Sequence, residues 1–317
     1  MQVVFFGSPS FSLPALEALL DAGHRVPLVV SQPGKPVGRK GDVTDPPVAA
    51  RAKSLRIHVF QPSTLKDDAA VARLAEVRAD VFVVVAYGKI LAQRVLDLPR
   101  LGCLNVHGSL LPRWRGASPV QATILAGDAV TGVSIMKMDA GMDTGPVYAM
   151  RETRIREEET AEELGGRLSQ VGADLLVETL HFLEGEEGRG PLPQDPLLAT
   201  YCPKITREDA RVDWTRSALE LVRRSRAFTP WPGLFAIRRN SRVKLSGLSL
   251  VEGGPWVREG AEKPSPGLLL EVGPRLVVAC GDAGAVAIEV LQAEGRRALP
   301  AAEFVRGERV SPGERWG

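Results

Sequence analysis

Residues 80–86, DVFVVVA, follow one acid with six apolar residues and no further polar position. Side chains of a strand alternate between faces, so a strand made of this run has no solvent side. It belongs in a sheet covered on both faces, and such sheets are mostly parallel with helical crossovers. The surrounding pattern agrees. Residues 2–6 read as a buried first strand, 11–21 as a helix stopped by Gly23, and 25–31 as a second strand. A helix from Val48, a short strand over 57–60 and a helix over 67–76 precede the DVFVVVA strand. After it come a strand over 102–107 and a helix over 119–126. Residues 133–138 and 147–152 read as a hairpin around the turn MDAGMDTG, and 160–184 as a long amphipathic helix. Ligands of such sheets bind beyond the carboxyl ends of the strands. One crevice is therefore expected to hold residues 87–91, 105–115 and the start of the first helix.

The periodicity stops at Gly185 and resumes after Thr206, where one helix (218–226) is followed by short alternating strands at 235–239, 243–251, 268–272, 276–279 and 285–291 and a short helix at 300–306. A chain of 317 residues is about right for two domains. The expected architecture is α/β, a Rossmann-like mostly parallel sheet with helices on both faces over 1–187. A linker over 188–206 and a small OB-like β-barrel over 207–317 follow.

Several function classes are disfavoured. FGSPSFSLPAL has one glycine where a dinucleotide fingerprint needs three, which argues against a nicotinamide or flavin cofactor. GSLLP around Ser109 lacks the second glycine of a nucleophile elbow, which argues against a serine hydrolase. His24, His58, His107 and His181 share no metal-ligand spacing, so no metal is expected. Cys103, Cys202 and Cys280 form no framework, which points to a reducing compartment. No apolar run nears the ~20 residues of a membrane span, and the first residues read as a strand rather than a leader. A cytoplasmic protein that avoids membranes is expected.

Asn105 and His107 are two apart on one strand and so face the same way. Polar side chains in an apolar strand are costly unless partnered, which sets His107 apart from the other histidines. With a carboxylate they would supply oxyanion donors and a proton carrier without a metal. Asp139 and Asp143 both lie in the glycine-rich turn, and spacing alone does not choose between them, although Asp139 is the better turn former. The loop 32–46 carries Lys35, Arg39 and Lys40, which suit either phosphate contact or solvent. Residues 207–317 hold 18 basic and 14 acidic groups, net +4, against −2 for the rest. Within it Arg223, Arg224, Arg226, Arg238, Arg239, Arg242 and Lys244 occur with no acid between Leu221 and Val251, interleaved with Phe228, Trp231 and Phe235. That suits a nucleic-acid backbone, or a solvated face of arginines.

Taken together, FFGSPSFSLPAL, SQPGKPVGR, AYGKIL, LNVHGSLLPRWRGASPVQATILAGD, MKMDAGMDTGPV, QDPLLATYCPKI and RAFTPWPG resemble the methionyl-tRNA formyltransferase family nearly end to end. The resemblance implies formyl transfer from 10-formyltetrahydrofolate to the α-amine of initiator Met-tRNA, without metal; a monomer is expected. It implies Asn105, His107 and Asp143 as the catalytic set, with Asp143 orienting His107. It gives Tyr87, Gly88, Lys89, Ile90, Leu91, Ser109, Leu110, Leu111, Pro112 and Asp139 to folate. It gives Arg39 and Lys40, and in the second domain Arg223, Arg238, Arg239 and Lys244, to tRNA. Gly41 and Asp42 follow Lys40 where relatives are often more basic. The Asn-x-His…Asp set alone fits two other readings, a formyltransferase for a sugar nucleotide or other small amine and a hydrolase releasing formate from the folate. A tRNA-binding module with an inactive enzyme domain is a fourth reading, against which the intact set speaks.

Overall fold

The computed structural model describes residues 1–37, 41–185, 190–254 and 263–317. They form two compact units. One comprises Met1–Pro119, Val130–Arg154 and Gly165–Pro203, the other Val120–Ala129, Ile155–Leu164 and Lys204–Gly317.

The strands of the first unit are β1 (Gln2–Gly7), β2 (Arg25–Val30), β3 (Lys35–Val37), β4 (Asp42–Thr44), β5 (His58–Phe60), β6 (Val81–Val85), β7 (Cys103–His107), β8 (Arg115–Gly116), β9 (Val130–Lys137), β10 (Val147–Arg154) and β11 (Tyr201–Cys202). Seven of them form one sheet in the order β10-β9-β7-β6-β1-β2-β5. The stretch from β5 to β7 is parallel, while β9 and β10 are antiparallel additions at one edge. Every residue of β6 is buried, as its composition requires. Helices α1 (Leu13–Asp21), α2 (Pro47–Ser54), α3 (Asp68–Glu76), α4 (Gln93–Leu96) and α6 (Ala161–Glu184) accompany the sheet. On one face Val4, Phe6, Leu28 and Phe82 pack with Leu74 of α3 and Val95 of α4. The chain runs from β1 to β2 and β5 on one side, then returns to β6 on the other side of β1. The carboxyl ends of β1 and β6 therefore mark the switch point where a ligand crevice opens.

Residues 32–46 were expected to lack structure. Instead β3 and β4 pair as an antiparallel hairpin, Lys35 opposite Thr44. The β-branched Val43 and Thr44 favour extension on the returning arm. Arg39 and Lys40, between the arms, lie outside the described residues.

In the second unit β12 (Phe235–Arg238), β13 (Ser241–Leu250), β14 (Leu269–Val272), β15 (Leu276–Ala279) and β16 (Ala285–Ala293) form a curled antiparallel sheet in the order β12-β13-β16-β15-β14, and β17 (Leu299–Pro300) adds to β16. Among the described residues β12 and β14, the two ends of this path, do not pair with each other, which makes the sheet a half-barrel; the last residues lie along both, Gly317 donating to the Ile237 carbonyl at 3.0 Å and Leu269 to that of Glu314 at 2.9 Å. Helix α7 (Ala218–Ala227) starts at a capping box. Ser217 accepts from the Glu220 amide while the Glu220 carboxylate accepts from that of Ser217, which satisfies two end donors. It buries Ala218, Leu221, Ser225 and Ala227. Helix α8 (Ala301–Glu308) buries Ala301, Phe304 and Val305. Helix α5 (Pro119–Ala126), from Val120 on, also belongs to this unit.

Candidate active site

Strand β7 pairs with β6 on one side and β9 on the other, which fixes its side-chain directions. Val106 points where Gly172 of α6 leaves room, since a Cβ there would stand 2.7 Å from a Val106 methyl. Asn105 and His107 face the other way. His107 is buried, and its Nε2 lies 2.9 Å from the carbonyl oxygen of Trp114. A carbonyl only accepts, so Nε2 carries a proton. The other nitrogen, Nδ1, stands 3.7 Å from Asp143 Oδ1, too far for a hydrogen bond.

Asp143 comes from the β9–β10 turn and adopts a left-handed conformation, φ +54°. Its Oδ2 accepts from the Gly116 amide at 2.8 Å, and its Oδ1 from Asn105 Nδ2 at 3.4 Å. Gly116 has φ +120°, and a Cβ there would lie 2.2 Å from the Cys202 carbonyl oxygen, so only glycine fits. Asp139 is tied into the turn, its Oδ1 accepting from the Gly141 amide at 3.0 Å and Thr144 Oγ1 at 2.8 Å. The turn thus brings Asp143, and not Asp139, to Asn105 and His107.

Sequence reasoning missed a strap formed by residues 190–203. Leu192 exchanges two 2.8 Å backbone bonds with Val147. Gln194 Nε2 donates to the carbonyls of Asp143 (2.9 Å) and Gly145 (2.7 Å). Thr200 Oγ1 accepts from the Trp114 amide at 2.9 Å, and β11 pairs in parallel with β8. The Cys202 thiol donates toward the carbonyls of Trp114 and Arg115, 3.5 and 3.3 Å away. The available signal was LLATYC, a run of order-promoting residues inside a stretch that reads as linker.

At the switch point Tyr87 is buried edge-on to Phe6, ring centroids 5.4 Å apart, and burial pushes its phenol up to about 12. Gly88 is left-handed, φ +80°. Lys89 Nζ donates to the carbonyls of Pro62 and Ser63 at 3.1 and 2.6 Å. Ile90 projects outward, 81% exposed, and Leu91 returns to the core. In the second expected folate segment Ser109 is buried and donates to the Arg113 carbonyl at 2.6 Å. Ser134 Oγ donates to the Ser109 carbonyl at 2.7 Å and accepts from the Leu111 amide at 3.0 Å. Leu110 packs at Gly132, Leu111 joins Met136 and Val147, and the Pro112 carbonyl accepts from Thr200. Most of these side chains are spent inside the unit.

The expected basic face of the second unit looks different in space. Arg238 is buried, and its guanidinium donates to Glu314 Oε2 at 2.9 Å and to the Glu308 carbonyl at 3.1 Å. Arg238, expected at tRNA, thus has its guanidinium engaged within its own unit. Arg239 reaches Glu314 at 3.4 Å and Arg242 reaches Glu208 at 2.8 Å. A stretch without acids in sequence is thus supplied with acids by other elements. Arg223 lies half-buried against Gly127. Lys244 is exposed, as is Trp231. Among the described residues no group of three His, Cys, Asp or Glu could hold a metal ion, and no helix is long and apolar enough to cross a membrane.

A family model described as formyl transferase matches residues 1–180, and one described as formyl transferase, C-terminal domain, matches 204–309. The methionyl-tRNA formyltransferase of Dechloromonas aromatica is 45% identical over 100% of this chain and 99% of its own length. That of Ruegeria pomeroyi is 47% identical over 99% of this chain and 100% of its own. Among solved structures, a methionyl-tRNA formyltransferase from Clostridium thermocellum superposes with TM-score 0.59 at 17% identity, covering 80% of this chain and 95% of that one. HypX from Aquifex aeolicus, in complex with tetrahydrofolic acid, gives 0.66 at 19% identity over 96% of this chain, which spans only 47% of HypX. At these identities the two structures speak for the fold.

Proposed function

The chain belongs to the formyltransferase family, and from that premise we infer that it moves the formyl group of 10-formyltetrahydrofolate onto the free α-amine of initiator methionyl-tRNA. The full-length match to relatives of that name, at 43–47% identity, carries this reading. The convergence of Asn105, His107 and Asp143 supports it independently.

The chemistry follows from that convergence. The amine nitrogen attacks the formyl carbon, the carbonyl oxygen gains negative charge, and the bond to the folate nitrogen then breaks. Asn105 Nδ2 offers N–H to the developing oxyanion. His107 keeps Nε2–H on the Trp114 carbonyl, which leaves Nδ1 to exchange a proton with the reacting groups. Asp143, fixed by the Gly116 amide, receives the amine proton and passes it toward the departing folate nitrogen. Tyr87, Gly88, Lys89, Ile90 and Leu91, with Ser109, Leu110, Leu111, Pro112 and Asp139, form the folate wall. Since the side chains of Tyr87, Leu91, Ser109 and Leu111 are buried, the wall binds largely through backbone groups and Ile90.

In this reading 1–187 catalyse, 188–206 connect, and 207–317 engage tRNA through an OB-like barrel, with Lys244, Arg239 and Arg223 on its side and Arg39 and Lys40 on the catalytic side. The protein works as a monomer in the cytoplasm, and its free thiols suit that compartment. The test is parallel formylation of charged initiator and elongator Met-tRNA and of an amino sugar nucleotide. Rapid transfer to the initiator alone is expected. Transfer to the sugar nucleotide alone, or formate release without transfer, would replace this reading.

A further inference from the structure

The side-chain amide of Gln194 joins two things that the catalytic reading keeps apart. Its Nε2 donates both hydrogens to the turn, one to the Asp143 carbonyl (2.9 Å) and one to the Gly145 carbonyl (2.7 Å). Its Oε1 accepts from Nε (3.0 Å) and Nη2 (2.9 Å) of Arg115. Carbonyls only accept and a guanidinium only donates, so the orientation of the amide is fixed from both ends. Arg115 is 4% exposed, and its Nη1 donates to the Tyr201 hydroxyl at 3.4 Å. A buried cation is thus coupled through one amide to the backbone on either side of Thr144.

That backbone needs holding. Asp143 is a non-glycine residue at φ +54°, a conformation that persists only where its surroundings impose it. Two constraints act on it. The Gly116 amide fixes the carboxylate, and Gln194 fixes the peptide carbonyls. Both originate at the β8–β11 pair or in the strap that leads into it, since Arg115 and Gly116 are β8.

We propose that Gln194 is a positioning residue for formyl transfer, holding the Asp143 turn so that its carboxylate stays against Asn105 and His107. The inference rests on the reading of Asp143 as catalytic. Gln194 touches no reacting atom. Its removal leaves the catalytic groups present and misaimed, and a displacement of about 1 Å at a reacting group can cost ~100-fold in rate.

The experiment compares full-length wild type with Gln194→Ala, Gln194→Glu, Asp143→Asn and the double variant Gln194→Ala/Asp143→Asn, in steady-state formylation of initiator Met-tRNA. Gln194→Ala is expected to lower kcat about 10- to 100-fold while KM for both substrates stays within about threefold. Gln194→Glu keeps an oxygen for Arg115 but turns a carboxylate on two carbonyls, so it should lose as much as alanine. If the alanine protein fails to fold, the glutamate variant carries the test, because the buried guanidinium keeps a partner. In the Asp143→Asn background the second substitution should add less than about threefold, as expected when two residues act through one group. A Gln194→Ala rate within about threefold of wild type, with Asp143→Asn slow, overturns the Gln194 role alone. So does a double variant whose loss is the product of the single losses. An Asp143→Asn rate equal to wild type overturns the catalytic reading of Asp143 and, with it, this role for Gln194.

Discussion

The Trp114 carbonyl oxygen lies 2.9 Å from Nε2 of His107, so the ring is anchored through the nitrogen that does not face Asp143. The tautomer is set by backbone, which leaves the lone pair of Nδ1 on the side of the catalytic groups. His107→Asn should therefore lower kcat by about 100- to 10,000-fold, the range for a lost proton-transfer group. Rapid-quench single turnovers would measure it. A fall of less than tenfold would leave His107 with a packing role only.

Asn105 makes one long contact, 3.4 Å to Asp143, so it contributes little to holding the carboxylate. Its value lies in the N–H it offers to an oxyanion. Asn105→Ala should cost about 100- to 1,000-fold in kcat. Binding of tetrahydrofolate, followed by calorimetry, should hardly change. A loss of only a few-fold in turnover would take it out of the catalytic set.

How much of this was legible depends on what each residue touches. The run at β6 dictated a doubly covered sheet, and the two-residue spacing of Asn105 and His107 put them on one face. Spacing alone did not separate Asp143 from Asp139, and the family resemblance made the choice, because the physical distinction lies in the left-handed backbone and the Gly116 amide. Trp114 acts through a carbonyl, which every residue has, so nothing in its side chain announces the role. Gln194 sits among prolines and glycines that read as linker, and its partners, 49 to 79 positions away in the chain, come within reach where β8 and β11 pair. Arg238 looked free because Glu308 and Glu314 lie some seventy residues downstream.

Gly116→Ala should be expensive. The new Cβ would lie 2.2 Å from the Cys202 carbonyl oxygen, at φ +120° where side chains are strained. Relieving this means separating β8 from β11, and the cost should be at least about 2 kcal/mol. The Gly116 amide would move off Asp143 as well. Urea unfolding followed by circular dichroism, with kcat on the same preparation, checks both. A midpoint equal to wild type would show that the pairing is looser than the structure has it.

The three cysteines should be inert in the folded protein. Burial pushes the thiols of Cys103 and Cys280 up to about 12 and raises that of Cys202. A raised thiol value means less thiolate at a given pH, so at pH 8 only about one part in 10,000 of Cys103 or Cys280 is nucleophilic. Iodoacetamide at pH 8 should leave the native protein unmodified by mass spectrometry and label all three sites in denaturant. Rapid native labelling of Cys202 would mean that the strap opens from β8.

Arg238 and Lys244 separate fold stability from tRNA affinity. Arg238 is buried against Glu314 and Glu308, whereas Lys244 is exposed on β13. Arg238→Ala takes the buried partner from Glu314 and Glu308, which keep Arg239 at 3.4 Å and Arg296 at 3.0 Å, so it should destabilise by no more than about 3 kcal/mol, the low end for breaking a buried pair. The hydrogen bond from Arg238 holds the Glu314 carboxyl below the usual carboxylate range. A depressed carboxylate stabilises the fold above its unfolded pKa and loses that contribution as pH falls through the folded value. The gap between wild type and Arg238→Ala should therefore be full at pH 7 and narrow below about pH 4, as denaturant midpoints would show. Lys244→Ala should leave those midpoints alone, weaken tRNA binding, and reduce the salt slope of log K by about 1. An Arg238→Ala protein of normal stability but weakened, less salt-dependent tRNA binding would put Arg238 back at the nucleic acid and remove the ion cluster as its reason for being there.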